Sequence, residues 1–372
     1  MNTKDISILS IAPYTILPAN TGGRLGIARF HHYLGQLVPN HLVSTTGNAE
    51  HTFSFTLHRL FPDKPVRYLP YYGLQKIIRL AREKGSTHII CEHPYMALTA
   101  VALSKKLGIP WFLHTHNIES QRFKTLGKKW WFILAQYEKY AMQKANGIFF
   151  VTKEDAECAI KEFGINNNKC HVIPYGCDLA HIPVASGNAK QLLAAGYGLN
   201  TSVPWLYFLG LLDYQPNAEA VAYILDEVKP RMDKAGIQCE ILLAGRGLSE
   251  TLIAKVNASS NVHYLGFVPD LSDFLHACDI MLNPVITGGG IKTKAVEALA
   301  YNKIVVSSHS GAAGIEPSFC GQNLLVSPDY DWDTFAAHII TALHTEPHTP
   351  ESFYNTYYWG NVAKKALDVI RK

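Results

Sequence analysis

The residues best suited to chemistry fall between Asn283 and Ala300, where Gly288-Gly289-Gly290 is followed by Ile291-Lys292-Thr293-Lys294 and then Glu297. Three glycines remove side chains where backbone N–H groups would approach an anion. The start of a helix adds the positive end of its dipole. Lys292 and Lys294 are expected in the first helical turn, where cations are unfavourable for an isolated helix. That misplacement makes sense if a phosphate neutralises them. Glu297, three residues after Lys294, shares its helical face, and its carboxylate is placed to accept hydrogen bonds from ribose hydroxyls.

Further polar groups recur at expected strand ends. His114 and His116 alternate at the end of an apolar run and so share one face of a strand, with Asn117 and Glu119 just beyond. A His-x-His pair also fits metal ligation, but spacing offers no third ligand, and no metal site is expected. Glu92-His93-Pro94-Tyr95 follows another strand and reads either as the rim of a cleft or as a loop opening a helix. Gly22-Gly23 reads as a turn after the first strand that lets the main chain approach an anion, with Arg24 beside it adding charge. The stretch from Arg122 to Phe132 interleaves cations with aromatics. It suits either an anionic membrane interface or a core helix with solvated lysines.

The elements that must position these groups alternate between short apolar runs and helical patterns, which argues for an α/β protein with parallel sheets. Strands are expected at Ile6–Ala12, His41–Thr45, His88–Cys91, Pro110–His114, Gly147–Val151 and His171–Ile173. After a linker from Asp178 to Asn200, they resume at Trp205–Gly210, Cys239–Ala244, Val262–Leu265, Ile280–Leu282, Ile304–Ser307 and Leu324–Val326. Helices are expected at Leu74–Lys84, Ala97–Leu107, Trp131–Lys144, Ala218–Met232, Leu271–His276 and Thr293–Ala300. Two series with a break near residue 180 imply two doubly wound domains, residues 1–180 and 181–349, with ligands expected beyond the carboxyl ends of the strands.

A length of 372 residues fits two domains, and 48% hydrophobic with 17% charged residues describes an ordinary folded chain rather than a disordered one. Seven scattered cysteines form no Cys-x-x-Cys pair, so neither a disulfide framework nor a thiolate zinc site is indicated. No apolar run approaches the ~20 residues that span a bilayer, and the opening residues lack a secretion signal. Cytoplasmic residence, peripheral on the inner face of a membrane, is therefore expected. The net charge of +4 combines +9 over residues 1–180 with −5 over residues 181–372. A basic first half points to an anionic partner: nucleic acid, anionic lipid or a phosphorylated acceptor. Nucleic acid is disfavoured because no binding module appears.

The glycine–lysine–glutamate segment resembles the donor-binding signature of retaining glycosyltransferase family 4, in the branch with Gly-Gly-Gly-x-Lys/Arg-x-Lys. The resemblance extends to Thr21-Gly22-Gly23-Arg24, His114-Thr115-His116-Asn117-Ile118-Glu119, and Val172-Ile173-Pro174-Tyr175-Gly176-Cys177-Asp178. Phe208-Leu209-Gly210, Tyr214-Gln215-Pro216-Asn217, Leu243–Gly247 and Val262–Val268 continue it in order, and Trp359 resembles a recurring tryptophan of the closing helix. The resemblance implies the GT-B fold of two facing Rossmann-like domains, with residues 350–372 crossing back onto the first. It implies retaining transfer of a sugar from a UDP- or GDP-linked donor to a glycan or lipid-linked acceptor, with no tightly bound cofactor and no metal.

Site roles follow from the same resemblance. Gly22, Gly23, Gly288, Gly289, Gly290, Ile291, Lys292, Lys294 and Glu297 would hold the donor. His116, Lys294 and Glu297 would serve catalysis, and Arg24, Glu92, His93, His114, Asn117 and Glu119 would face the acceptor. No nucleophile stands out, so front-face attack with departing phosphate taking the proton is implied. Two departures accompany the match: Gly289 stands where many members carry an acid, and Leu211-Leu212-Asp213 where many carry a base. A non-catalytic nucleotide-sugar binder and a sugar-nucleotide epimerase are the alternatives. The second fits the Glu297 helix and Pro216-Asn217 poorly.

Overall fold

The structure, a computed structural model, describes residues 6–184 and 187–372. Residues 1–5, at the start expected to lack a leader, and residues 185–186 of the expected linker lie outside it.

Runs such as Ile8-Leu9-Ser10-Ile11 and Ile304–Ser308 are buried on both faces, as parallel strands covered by helices must be. They assemble two all-parallel sheets. The first contains β1 (Ile8–Ile11), β2 (Asn40–Thr45), β3 (Thr56–Phe61), β4 (His88–Glu92), β5 (Trp111–Thr115), β6 (Gly147–Phe150) and β7 (Cys170–Val172), in the order β3-β2-β1-β4-β5-β6-β7. The second contains β8 (Trp205–Leu209), β9 (Glu240–Ala244), β10 (Val262–Gly266), β11 (Ile280–Asn283), β12 (Ile304–Ser308) and β13 (Leu324–Ser327), in the order β10-β9-β8-β11-β12-β13. In each, the order reverses between its first strand and a later one, β1 beside β4 and β8 beside β11. Such switch points open a crevice at the carboxyl ends.

The chain forms two compact units. One runs through Gly176 and includes Tyr357–Lys372; the other is Cys177–Thr356. The final helix, Trp359–Ile370, packs on the helix Gly22–Leu37 of the first unit. Trp359 is 4% exposed and lies edge-on to Tyr175, 5.0 Å between ring centroids. Gly176 is obligatory there, because a Cβ would lie 2.7 Å from the Trp359 ring.

Three expectations need correction. Gly22 and Gly23 do not form a turn: they are the first turn of the helix Gly22–Leu37, with Thr21 at its cap. β3 was not anticipated, because an edge strand reading Thr-Leu-His-Arg-Leu-Phe is largely half-buried and carries no apolar run. The helix expected over Ala218–Met232 starts at Gln215 and is interrupted by a π-helical stretch, Ile224–Val228, before Lys229–Lys234.

Candidate functional site

In the second unit the site grows from the ends of β8 and β11. Gly210, directly after β8, is enclosed. A Cβ there would meet Asn217 Nδ2 at 2.8 Å and Lys294 Nζ at 3.1 Å. Gly245, after β9, lies against the Gly210 carbonyl, leaving no room for any side chain. Two bare backbones thus open the space that the Lys294 ammonium fills. Its Nζ donates to Asn217 Oδ1 at 2.6 Å and lies 4.0 Å from the centre of the Phe208 ring.

The loop after β11 turns at Gly288 and Gly290, both with φ near +80° or +70° (84° and 71°), which favours glycine. Gly288 packs toward Pro216 and the Tyr214 hydroxyl. Lys292 is not in the first turn as expected. It is the cap residue before the helix Thr293–Ala300, with no side-chain cap of its own. Its ammonium folds back onto the loop, donating to the carbonyls of Gly288 (3.0 Å) and Gly290 (2.9 Å).

Neither lysine forms an ion pair with a carboxylate among the described residues. Burial, with the charge of Lys292 adding to it, pushes Lys294 down to about 7. Burial pushes Lys292 down to about 8, against the opposing pull of Asp329. Asp329 lines an open 410 Å³ pocket with His309, Val326, Ser327 and Pro328. Glu297 is half-buried on the same helix, and its charge reaches Cys177 and Tyr207. Gly289 and Ile291 complete the loop without a positive φ.

In the first unit, residues from the ends of β4 and β5 and from the helix Gly22–Leu37 meet around one carboxylate. Glu92, fully buried at the end of β4, receives His31 Nε2 (2.8 Å) and His114 Nδ1 (3.0 Å) on Oε1, and His116 Nε2 (2.7 Å) on Oε2. Burial works to raise its pKa, but the charge and hydrogen bond of His114 and the bonds from His116 and His31 hold it well below the carboxylate range. The fold therefore supplies what spacing did not: Glu92, His114 and His116 offer three ligand-type atoms within 4.8 Å of one another. Each of the two imidazole nitrogens is already engaged as a hydrogen-bond partner of the carboxylate.

His93 adjoins this cluster. Its φ of +60° with ψ 158° is a conformation that costs a non-glycine residue about 1–3 kcal/mol. The ring stacks on His116 (4.5 Å, 18°) and on Tyr95 (5.5 Å, 18°), and its Nε2 meets the Tyr14 hydroxyl at 2.8 Å. Its Nδ1 lies 3.3 Å from Glu119 Oε1. Burial pushes both His93 and His116 below the usual imidazole range. Burial would raise Glu119, but His93, Arg122 and Tyr95 hold it at about 2. Arg122 Nη1 donates to Glu119 at 2.8 Å. The helix carrying Glu119 is capped by the buried Glu138, which accepts from the N–H groups of Glu119 (2.7 Å) and Ser120 (2.8 Å).

Glu92, His93, His114, His116 and Glu119 are thus brought together. Asn117 contributes its carbonyl, to the Thr115 hydroxyl, and Arg24 bonds Asn20 rather than the cluster. Tyr14, His31 and Glu138 were not anticipated. Each looks ordinary in its own segment and joins the cluster only through folding.

Residues 28–181 match the family described as Glycosyltransferase Family 4, and residues 203–345 match Glycosyl transferases group 1. With its two parallel-sheet domains, the chain is a glycosyltransferase of the GT-B fold. Among solved structures, it is similar to HepE of Anabaena in complex with UDP (TM-score 0.69, 15% identity, covering 98% of this chain and 97% of that one). It is also similar to WaaG, a glycosyltransferase involved in lipopolysaccharide biosynthesis (TM-score 0.67, 12% identity, 98% and 99%). A curated relative, an uncharacterized 44.6 kDa protein in the cps region of Klebsiella pneumoniae, is 28% identical over 140 residues, 36% of this chain. The match spans about a third (35%) of that relative's length. No described helix is long and apolar enough to cross a membrane.

Proposed function

We propose that the chain transfers a sugar, with retention of configuration, from a UDP- or GDP-linked donor to a hydroxyl of a glycan or lipid-linked acceptor. The product would serve polysaccharide or glycolipid assembly. The observation that carries this reading is the pair Lys292 and Lys294, held beside a glycine loop with no carboxylate in ion-pair reach among the described residues. Cations kept partly desolvated and unneutralised are matched by a diphosphate, which restores their charge.

In this reading Lys294, Lys292 and the N–H groups at the start of the helix Thr293–Ala300 stabilise the departing diphosphate electrostatically. Glu297 takes the ribose hydroxyls. The N–H groups of Gly22 and Gly23 at their helix start offer a second anion contact. His116 meets the transferred sugar. The two lysines and the backbone meet the diphosphate charge without a metal, and the acceptor attacks from the front face. The UDP complex of HepE supports a uridine donor, and the role of WaaG supports a glycolipid product. The exposed Leu126, Trp130, Phe132 and Ile133, beside Lys124, Lys128 and Lys129, suit a peripheral seat on an anionic membrane where such acceptors reside.

A thermal-shift screen of UDP, GDP, ADP and their sugars tests this. A ligand at 100 times its Kd stabilises the fold by about 2.7 kcal/mol. One diphosphate is expected to raise the Tm of the native chain and to leave Lys294→Met nearly unmoved. Transfer by that variant is expected to drop about 100- to 1,000-fold. A variant that binds and turns over like the native chain would remove the reading's support.

A further inference from the structure

The hydrogen bonds around Glu92 form a chain whose proton directions are determined. Asn40 Nδ2 donates both to the His31 carbonyl (3.2 Å), which can only accept, and to His31 Nδ1 (3.0 Å). The other end of the amide, Oδ1, accepts from the Ser10 hydroxyl at 3.0 Å. His31 Nδ1 is therefore unprotonated, and its proton sits on Nε2, donated to Glu92. His31, Asn40 and Ser10 are all buried, so no water competes for these bonds. The carboxylate then accepts from all three imidazoles, which accounts for His114 Nδ1 and His116 Nε2 as N–H donors as well.

We infer that Glu92 is a positioning residue, with His31, Asn40 and Ser10 behind it. It holds His116 as a neutral imidazole protonated on Nε2, so that Nδ1 accepts a hydrogen bond from a sugar hydroxyl and does not receive a phosphate. The word sugar rests on the proposed function; the proton arrangement does not. His116 Nδ1 has no hydrogen-bond partner among the described residues, and the side chain keeps 12% exposure, so it is accessible. A neutral ring with a lone pair can only accept there. The groups that face the ring from the neighbouring elements are Glu92, His93, His114 and, beyond His93, Glu119 with Arg122. Two buried carboxylates against one guanidinium disfavour a second anion at this spot. Burial, which lowers the His116 pKa, works in the same direction. A metal ion would need as lone pairs the same nitrogen atoms that carry protons to Glu92.

Long-range ¹H–¹⁵N correlation spectra of the full chain labelled in histidine test the assignment, with His116→Gln identifying the resonance. His31 and His116 are expected in the neutral Nε2–H pattern at pH 7, His116 keeping it to below its ordinary titration range. A His116 protonated on Nδ1, or charged at pH 7, overturns the inference, and this spectrum decides even if a variant fails to fold. Equimolar zinc chloride is expected to leave His114 and His116 unchanged. Stoichiometric loss of the His116 Nε2–H signal would make the cluster a metal site instead.

Glu92→Gln, with one acceptor oxygen in place of two, is expected to give His116 a mixture of tautomers. Its kcat/KM for transfer should fall about 10- to 100-fold, the range for partners that orient a functional imidazole, while UDP affinity stays within about twofold. Equal losses in both would make Glu92 merely structural and refute the positioning role. If no nucleotide binds the native chain but the Nε2–H pattern stands, the sugar reading fails and the proton arrangement survives. If UDP binds and the pattern is absent, the reverse holds.

Discussion

Lys294 concentrates the argument for an anion site into one ammonium. It sits against a neutral amide and an aromatic face, and burial holds it at about 7, with Lys292 at about 8. A diphosphate binds the protonated forms. As pH rises through about 7 and then about 8, the unliganded protein gives up these protons, so affinity falls and binding takes protons up. Titration calorimetry of UDP between pH 6.5 and 9, in buffers of different ionisation enthalpy, is expected to show weakening affinity and net proton uptake. Affinity independent of pH over that window would mean that the lysines do not meet the anion. Both lysines stood out in the sequence because cations are misplaced at a helix start. Their depressed pKa values were not legible there, since Asn217 lies 77 positions away and Gly210 shows its lack of room only once Gly245 packs against it. In the same way, His114 and His116 were readable as a pair on one strand face, but the carboxylate between them comes from β4.

At the scale of elements, the strands were largely readable because buried parallel strands are continuous apolar runs. Besides the edge strand β3, local signals misdirected the reading of the helix Gly22–Leu37. Two leading glycines, each about 1 kcal/mol poorer than alanine in a helix interior, argue locally for a turn. Tertiary packing overrides them, because Ile27, Ala28, Phe30, His31 and Leu34 form a buried face. The two kinds of glycine in this helix are distinguishable by experiment. A Cβ at Gly23 meets nothing within 4 Å, so Gly23→Ala is expected to raise the Tm, by up to about 1 kcal/mol of stability. A Cβ at Gly26 lies 2.8 Å from the Tyr175 ring, so Gly26→Ala is expected to lower it by about 1–3 kcal/mol. Calorimetric scans of both variants check the pair. Equal and small shifts would contradict the packing of Tyr175 on this helix. Donor binding then reports on the glycine start: stabilised Gly23→Ala with weakened UDP binding places the main chain of that turn at the phosphate.

For the whole molecule, the charge division along the chain, +9 over residues 1–180 and −5 beyond, locates the basic half in the first unit. The sequence left the stretch from Arg122 to Phe132 divided between a core helix and a membrane face. The fold separates its residues: Trp131 is half-buried and packs toward the core, while Leu126, Trp130, Phe132 and Ile133 are 47–60% exposed. Lys124 lies 4.7 Å from the Trp131 ring, and Lys128 and Lys129 are exposed on the turn between. Fully burying one such apolar side chain contributes about 1.5–3 kcal/mol, and these gain less because they are already partly covered. Each lysine adds about 1 kcal/mol near an anionic surface. Binding should therefore need both terms and weaken with salt. Flotation with phosphatidylcholine vesicles, with and without phosphatidylglycerol, is expected to recover the chain only with the anionic lipid and less at high salt. Phe132→Ser with Ile133→Ser should reduce recovery about tenfold, equivalent to about 1.4 kcal/mol. Lys128→Glu with Lys129→Glu should abolish the preference for anionic lipid. Neither pair is expected to move the Tm, because all four side chains are exposed. A lowered Tm with unchanged vesicle binding would instead assign this stretch to holding the first unit together.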